Sequence, residues 1–149
     1  MRYVLDTNVL LYHIRDKTTR RLIDEQYSPF AEGNQALVSI VTVAEIYSLA
    51  RKRQWGIEKM GRLEELISSL VIIEIRNQDI VNVYVDIETY SNKSNPDRQV
   101  SGSAIKMGKN DLWIAATAAL TGSRLITSDN DFDHLDGEYF EVLKYKATG

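Results

Sequence analysis

Cysteine is absent from the chain, which excludes disulfides, thiol chemistry and thiolate metal sites. Histidine is scarce. With only His13 and His134 present, a zinc site built on several histidines has too few ligands, and a Ser-His-Asp triad has little to draw on. No apolar run approaches the length that crosses a bilayer, so no membrane association is expected. Met1-Arg2-Tyr3-Val4-Leu5-Asp6 meets an acid at once and cannot be the apolar core of a secretory signal. A cytoplasmic protein is the expectation. A large excess of either charge is missing too: Asp plus Glu number 21 against 18 Lys plus Arg, a net charge of −3. That balance argues against a protein that coats nucleic acid indiscriminately, but it leaves room for a local basic face.

What is present is an ordinary globular composition, 44% hydrophobic and 26% charged over 149 residues. This suits one domain spanning residues 1–149 with a core that needs no staples. Tyr3-Val4-Leu5 reads as a buried strand running into Asp6. Val9 to Ile14 suggests a short helix, and Thr18 to Phe30 a second, before Gly33-Asn34 breaks the chain. Ala36 to Val41 is a strand candidate rich in β-branched residues. From Thr42 the period turns helical through Val43, Ile46, Tyr47 and Ala50, up to Gly56. Ile57, Met60, Leu63, Ile67 and Leu70 mark another helix, Val71 to Ile75 a strand, and Ile80, Val83, Tyr84 and Ile87 a further helix. The polar stretch 91–109, with Pro96, Gly102 and Gly108, reads as a surface loop. Asp111 to Leu120 is helical and rich in small alanines that let it approach a sheet closely, with Gly122 as its end. Arg124 to Thr127 is a strand, and Tyr139 to Leu143 is a last one at an edge. Strands alternating with helices throughout predict a three-layer α/β/α domain with a mainly parallel sheet.

Carboxylates stand at informative places in this plan. Asp6 follows the first strand, Glu45 lies a helical turn past the second, Asp111 opens the alanine-rich helix, and Asp129 lies just past the fourth strand. Strand C-termini in a parallel sheet share one edge, where ligands bind. Each acid alone has a structural explanation. Asp6 suits a helix N-cap, Thr42-Val43-Ala44-Glu45 matches a capping box, Asn110-Asp111 fits a cap with a favourable dipole charge, and Asp129-Asn130 fits a turn. Together at one edge they repel unless a cation lies between them. Oxygen ligands suit Mg2+ or Mn2+. Such a site activates water for attack on a phosphodiester without a histidine base or a covalent nucleophile. Cutting by water with the 3′-oxygen leaving yields a 5′-phosphate and a 3′-hydroxyl.

Four segments carry a family resemblance. Val4-Leu5-Asp6-Thr7-Asn8-Val9-Leu10 resembles the opening motif of PIN-domain nucleases. Ser39-Ile40-Val41-Thr42-Val43-Ala44-Glu45-Ile46 resembles their second motif, and Asn110-Asp111-Leu112-Trp113-Ile114-Ala115-Ala116 their third. Leu125-Ile126-Thr127-Ser128-Asp129-Asn130-Asp131-Phe132 resembles their fourth. The size is similar to the toxin half of bacterial or archaeal VapBC-type toxin–antitoxin pairs. That resemblance implies an endoribonuclease using Mg2+ or Mn2+ on an RNA substrate, a homodimer, and inhibition by a small antitoxin. It implies metal ligation by Asp6, Glu45, Asp111 and Asp129, with Asn8 and Thr127 orienting an acid or a water by hydrogen bonding. Asp131 is expected to join through water and Asp133 to remain solvated surface. The segments Asn95-Pro96-Asp97-Arg98 and Gly102-Ser103-Ala104 match none of the motifs.

Among the cations, Lys109 is expected to contact a phosphate, being nearest in sequence to a ligand. Arg51-Lys52-Arg53 beside Trp55 forms a basic run with an aromatic, read as a solvated helix face with a half-buried indole rather than a base-stacking platform. Arg15, Lys17, Arg20 and Arg21 form a second basic cluster. His13 is expected in packing or at the surface, and His134 in a loop. Three other functions compete. An aspartate-nucleophile phosphatase needs a second acid two residues after Asp6, where Asn8 stands. A catalytically silent scaffold has no reason to hold a repelling acid cluster. A nuclease of RNA maturation or decay, or one acting on DNA, would use the same chemistry.

Overall fold

The computed structural model describes residues 1–146. Five parallel strands form one sheet in the order β3-β2-β1-β4-β5: β3 is Val71–Ile73, β2 Gln35–Ser39, β1 Arg2–Leu5, β4 Arg124–Thr127 and β5 Val142–Lys144. Six α-helices connect them: α1 Thr7–Arg15, α2 Lys17–Gln26, α3 Ile40–Lys52, α4 Ile57–Ser68, α5 Gln78–Ser91 and α6 Lys109–Thr121, with a 3₁₀ segment at Asn130–Leu135.

Successive side chains on a strand face opposite ways, and the two cores follow that alternation. Tyr3, Leu5, Ala36, Val38 and Ile126 pack with Val9, Leu10, Ile46 and Leu63 from α1, α3 and α4 on one side. Val4, Leu37 and Leu125 pack with Ile87, Leu112, Ala115, Ala118 and Phe132 on the other. Burial on both faces explains why the strands read as continuous apolar runs rather than alternating ones. This is the expected three-layer arrangement, with every strand pair parallel. Ala115, Ala116 and Ala118 are fully buried, as their small size permits. Gly122 ends α6 at φ 63°, in the left-handed region where a β-carbon is costly.

Three expectations need correction. The second helix stops at Gln26, so Phe30 lies beyond it. The third helix begins at Ile40, with Ser39 as its N-cap, the Ser39 hydroxyl accepting from the Val41 N–H at 3.1 Å. Thr42 is therefore a buried residue inside the helix, and the capping-box reading of Thr42 and Glu45 fails. Asn110 is no cap either, because α6 starts at Lys109 behind Gly108.

The polar stretch before α6 is not a simple surface loop. Asn95 is buried, and its amide donates to Asp86 Oδ1 at 3.0 Å while its oxygen accepts from the backbone of Asp97 and Arg98 at 2.8 and 3.0 Å. Val100 and Met107 enter the second core. Arg98 lies over the Tyr139 ring and donates to the Glu138 carbonyl at 3.1 Å. The segment is pinned to α5 and to the approach to β5.

Candidate metal-binding site

Four acids reach the C-terminal edge of the sheet, and two threonines tie three of them, Asp6, Glu45 and Asp129, into one web. Asp6 directly follows β1 and caps α1. Its Oδ1 accepts from the Thr7 N–H at 2.7 Å, and its Oδ2 accepts from the Thr127 hydroxyl at 2.7 Å. The same Thr127 oxygen accepts from the Asp129 N–H at 3.0 Å, so one buried residue at the end of β4 fixes both acids. Asp129 Oδ1 in turn accepts from the Asp131 N–H at 2.9 Å and opens the 3₁₀ segment. The Thr7 hydroxyl donates to Glu45 Oε1 at 3.1 Å, joining the acid of α3 to the backbone that holds Asp6.

Asp111 stands apart from this web. It lies in the first turn of α6, which has no side-chain cap, and among the described residues it has no hydrogen-bond or ion-pair partner. Partly buried, its carboxyl is pushed up to about 7 by desolvation first, then by the charges of Asp6, Asp129, Asp131 and Glu45. Asp6 is also raised, chiefly by burial. Its bonds from Thr127 and Thr7 oppose that shift, and the charges of Asp129 and Glu45 add to it.

Ligand oxygens of Asp111, Asp129 and Asp131 all lie within 4.8 Å of one another. Asp131, expected only as an indirect participant, is thus in the tightest group. Asp6 and Glu45 border it and are felt through their charge. The donor set is oxygen only, which fits a hard divalent cation such as Mg2+, Mn2+ or Ca2+ and does not fit a soft one. A cation there would also relieve the repulsion that Asp111 registers.

Two expected accessory residues differ in outcome. Thr127 makes the predicted hydrogen bond to an acid. Asn8 is exposed and bonds to none of the acids among the described residues; the hydroxyl of its neighbour Thr7 has that place. Lys109 is exposed on the first residue of α6, at the same end as Asp111, and takes part in no ion pair among the described residues. Asp133 is surface, paired with Lys144 at 3.1 Å. His13 packs beside Phe30, and burial pushes its pKa down to about 4. His134 shares a 2.7 Å hydrogen bond with Ser91.

Lys144 and Tyr145 lie outside all four motifs, and Thr7 stands inside the opening one without having been assigned a role there. Adjacency to Asp6 was the one available clue, and it applied only to Thr7. Lys144 Nζ donates to Asn130 Oδ1 at 2.5 Å as well as to Asp133, holding the 3₁₀ segment against the end of β5. Tyr145 is buried edge-on to Tyr12, near enough to Asp6 for that charge to raise its pKa further beyond the effect of burial. Ser128 also influences it, but no hydrogen bond of ordinary geometry satisfies its hydroxyl. A cavity of about 840 Å³ holds none of these acids. It lies between α1, α2 and α4, lined by Ile14, Phe30 and Leu66 with Lys17, Arg20 and Arg62.

A family model described as "PIN domain" matches residues 3–138. "Ribonuclease VapC2" of Haemophilus influenzae is 26% identical over 129 residues, 87% of each chain. "Ribonuclease VapC1" of the same species is 29% identical over 128 residues, 85% of this chain and 86% of the relative. Among solved structures, VapBC2 from Rickettsia felis bound to a promoter DNA fragment superposes with a TM-score of 0.78 at 21% identity, covering 98% of this chain and 100% of that one. VapBC-1 from nontypeable Haemophilus influenzae does so at 0.72 and 24%, covering 97% and 98%. At such identities the two structures establish a shared fold.

Proposed function

The chain belongs to the PIN-domain family, and from that premise we propose that it is a metal-dependent endoribonuclease, the toxin of a toxin–antitoxin pair acting in the cytoplasm. The observation that carries the reading is the triple of Asp111, Asp129 and Asp131, whose oxygens converge within 4.8 Å and which take part in no ion pair among the described residues. Such convergence costs stability through mutual repulsion, and a bound cation would relieve it. The names of the relatives support RNA as the substrate, and the VapBC complexes among the structural neighbours support an antitoxin partner; the homodimer is carried by the family resemblance alone.

In the proposed site Asp111, Asp129 and Asp131, together with Asp6 and Glu45, would hold Mg2+ or Mn2+. The cation supplies Lewis acidity for the scissile phosphodiester and for the attacking water. The chain's own groups do the positioning. Thr127 locks the rotamer of Asp6 and the backbone of Asp129 with one hydroxyl, and Thr7 locks Glu45. Asp111, with no partner of its own, is free to bond to a ligand or to carry a proton near neutral pH. Lys109, exposed at the same helix end, is placed to meet a phosphate of the substrate.

The test is cleavage of a structured RNA pool by antitoxin-free protein with Mg2+ or Mn2+, with EDTA, and with Asp6→Asn. The expected result is cutting that needs both the metal and Asp6 and leaves 5′-phosphate and 3′-hydroxyl ends. Fragments ending in 2′,3′-cyclic phosphate would overturn the water-attack reading. Cleavage undiminished in Asp6→Asn would overturn the site.

A further inference from the structure

Ser91 and His134 form a polar pair that the proposed chemistry does not use. Ser91, the last residue of α5, is 1% exposed, and its hydroxyl shares a 2.7 Å hydrogen bond with His134 Nε2. A buried hydroxyl is costly without a partner, and here the imidazole supplies one. Burial holds the His134 pKa below its ordinary value, against the opposing charges of Asp133 and Asp131. The ring is therefore neutral at neutral pH and carries one N–H and one lone pair.

The pair stands between the two segments that carry the acid triple. His134 lies on the same 3₁₀ segment as Asp131. Tyr90 adds to this attachment: its hydroxyl donates to the His134 carbonyl at 3.5 Å, and its ring lies parallel to the imidazole. On the other side, the Ser91 carbonyl accepts from the Ile105 N–H at 2.7 Å, and the Ser91 hydroxyl donates to Met107 Sδ at 3.5 Å. Both Ser91 side-chain contacts are satisfied together when the Nε2–H donates to Ser91 and the hydroxyl proton points to the sulfur. Just beyond Met107, α6 begins at Lys109 with Asp111 in its first turn. The end of α5 is thus bonded both to the segment bearing Asp131 and to the run that leads into Asp111.

Other contacts leave the spacing of these acids open. Asp111 has no bond of its own, so its place follows from where α6 starts. Phe132 and Leu135 are fully buried and anchor the 3₁₀ segment in the second core. Apolar burial is non-directional and does not fix how the segment turns about its own axis. Lys144 grips Asn130 and Asp133 from the exposed side, and Asp129 caps the segment's start. Among these polar contacts, the one at Ser91 alone is shared with the approach to Asp111.

We infer that Ser91 and His134 are positioning residues for the metal: their hydrogen bond sets the spacing between Asp111 and Asp131, and with it the affinity for a divalent cation. The inference rests on the metal-dependent endoribonuclease reading and names what holds its acids in register. Neither side chain takes part in the chemical step.

The test is calorimetric titration of Mn2+ alone into full-length, metal-free protein, with thermal unfolding of the same proteins in EDTA. Ser91→Ala and His134→Leu are each expected to weaken Mn2+ binding about tenfold, and the double variant no more than either alone. His134→Gln brings an amide N–H to the place of Nε2 and is expected to bind within about twofold of wild type. A merely structural role would lower Tm and leave Mn2+ affinity unchanged in the folded single variants, and that result would overturn the inference. Losses that multiply in the double variant, or a loss in His134→Gln as large as in His134→Leu, would overturn it too. If Ser91→Ala does not fold, the contrast between Leu and Gln at His134 carries the test. Metal-dependent cleavage by wild type leaves the endoribonuclease reading standing whichever way the variants fall. Wild-type protein that neither binds Mn2+ nor cuts RNA overturns both.

Discussion

Replacing Asp111 by Asn should stabilise the metal-free protein, and only above mild acidity. The folded-state pKa of Asp111 is raised from 3.8 to about 7. Between those values the folded chain holds a proton that the unfolded chain has released. Stability therefore falls as pH rises through that window, and the full penalty stands above about pH 7. At 1.36 kcal/mol per unit the shift corresponds to about 4 kcal/mol. Water reaches this partly buried side chain and screens its neighbours, which reduces the figure to on the order of 2 kcal/mol. Asparagine keeps the shape and removes the charge. In EDTA the variant should match wild type near pH 4 and exceed it by about 2 kcal/mol near pH 8, a Tm difference of roughly 4–8 °C. The assay is thermal unfolding followed by circular dichroism across pH, taken as the difference between the two proteins so that other titrations cancel. Added Mg2+ should reverse the order, because wild type gains about 2.7 kcal/mol at a hundred times Kd and the variant gains less. Parallel curves, with no pH-dependent gap between the proteins, would refute the claim that Asp111 sits in an uncompensated field of acids.

Thr127→Val should lower stability by about 1–3 kcal/mol in urea unfolding, because Asp6 and the Asp129 N–H lose their shared partner. RNA cleavage by the same variant should fall roughly ten- to a hundredfold, and wild-type cleavage rates would refute the positioning role. Asn95→Ala should cost about 2–3 kcal/mol and raise amide exchange across residues 95–107, since the buried amide bonds to both α5 and its own loop. Exchange unchanged there would mean the segment is held by Val100 and Met107 alone. Tyr145→Phe removes a buried hydroxyl without a partner and should leave stability within about 0.5 kcal/mol or raise it. A loss above about 1.5 kcal/mol would reveal a hydrogen bond the geometry does not show.

The strands were legible because each is an apolar run ending at a turn, and the acids were legible because they follow those runs. What escaped was decided by contacts between distant residues. Ile40 and Val41 look like strand, yet Ser39 caps a helix there, and Ile46 and Ala50 bury that helix on the sheet. Propensity yields to tertiary packing at such a boundary. The polar residues of 91–109 conceal a buried Asn95, whose amide is satisfied by backbone and side-chain groups that hydropathy does not register. Asp131 was placed in a secondary role because spacing along the chain does not show how the 3₁₀ turn swings its carboxylate toward Asp111. Thr7 was overlooked for Asn8 because adjacency alone does not say which side chain turns inward at a helix start.

The central strand β1 pairs with β4, whose residues come more than a hundred positions later. Until β4 exists, Asp6 lacks the hydroxyl of Thr127, and the triple lacks Asp129 and Asp131. A ribosome-bound chain therefore carries no assembled acid site until β4 and the 3₁₀ segment have been made, because contacts between distant positions close last. For a protein whose proposed target is RNA, this order of assembly ties the acid site to the emergence of Asp129 and Asp131, so a nascent chain that stops before β4 holds Asp6 and Asp111 without their partners.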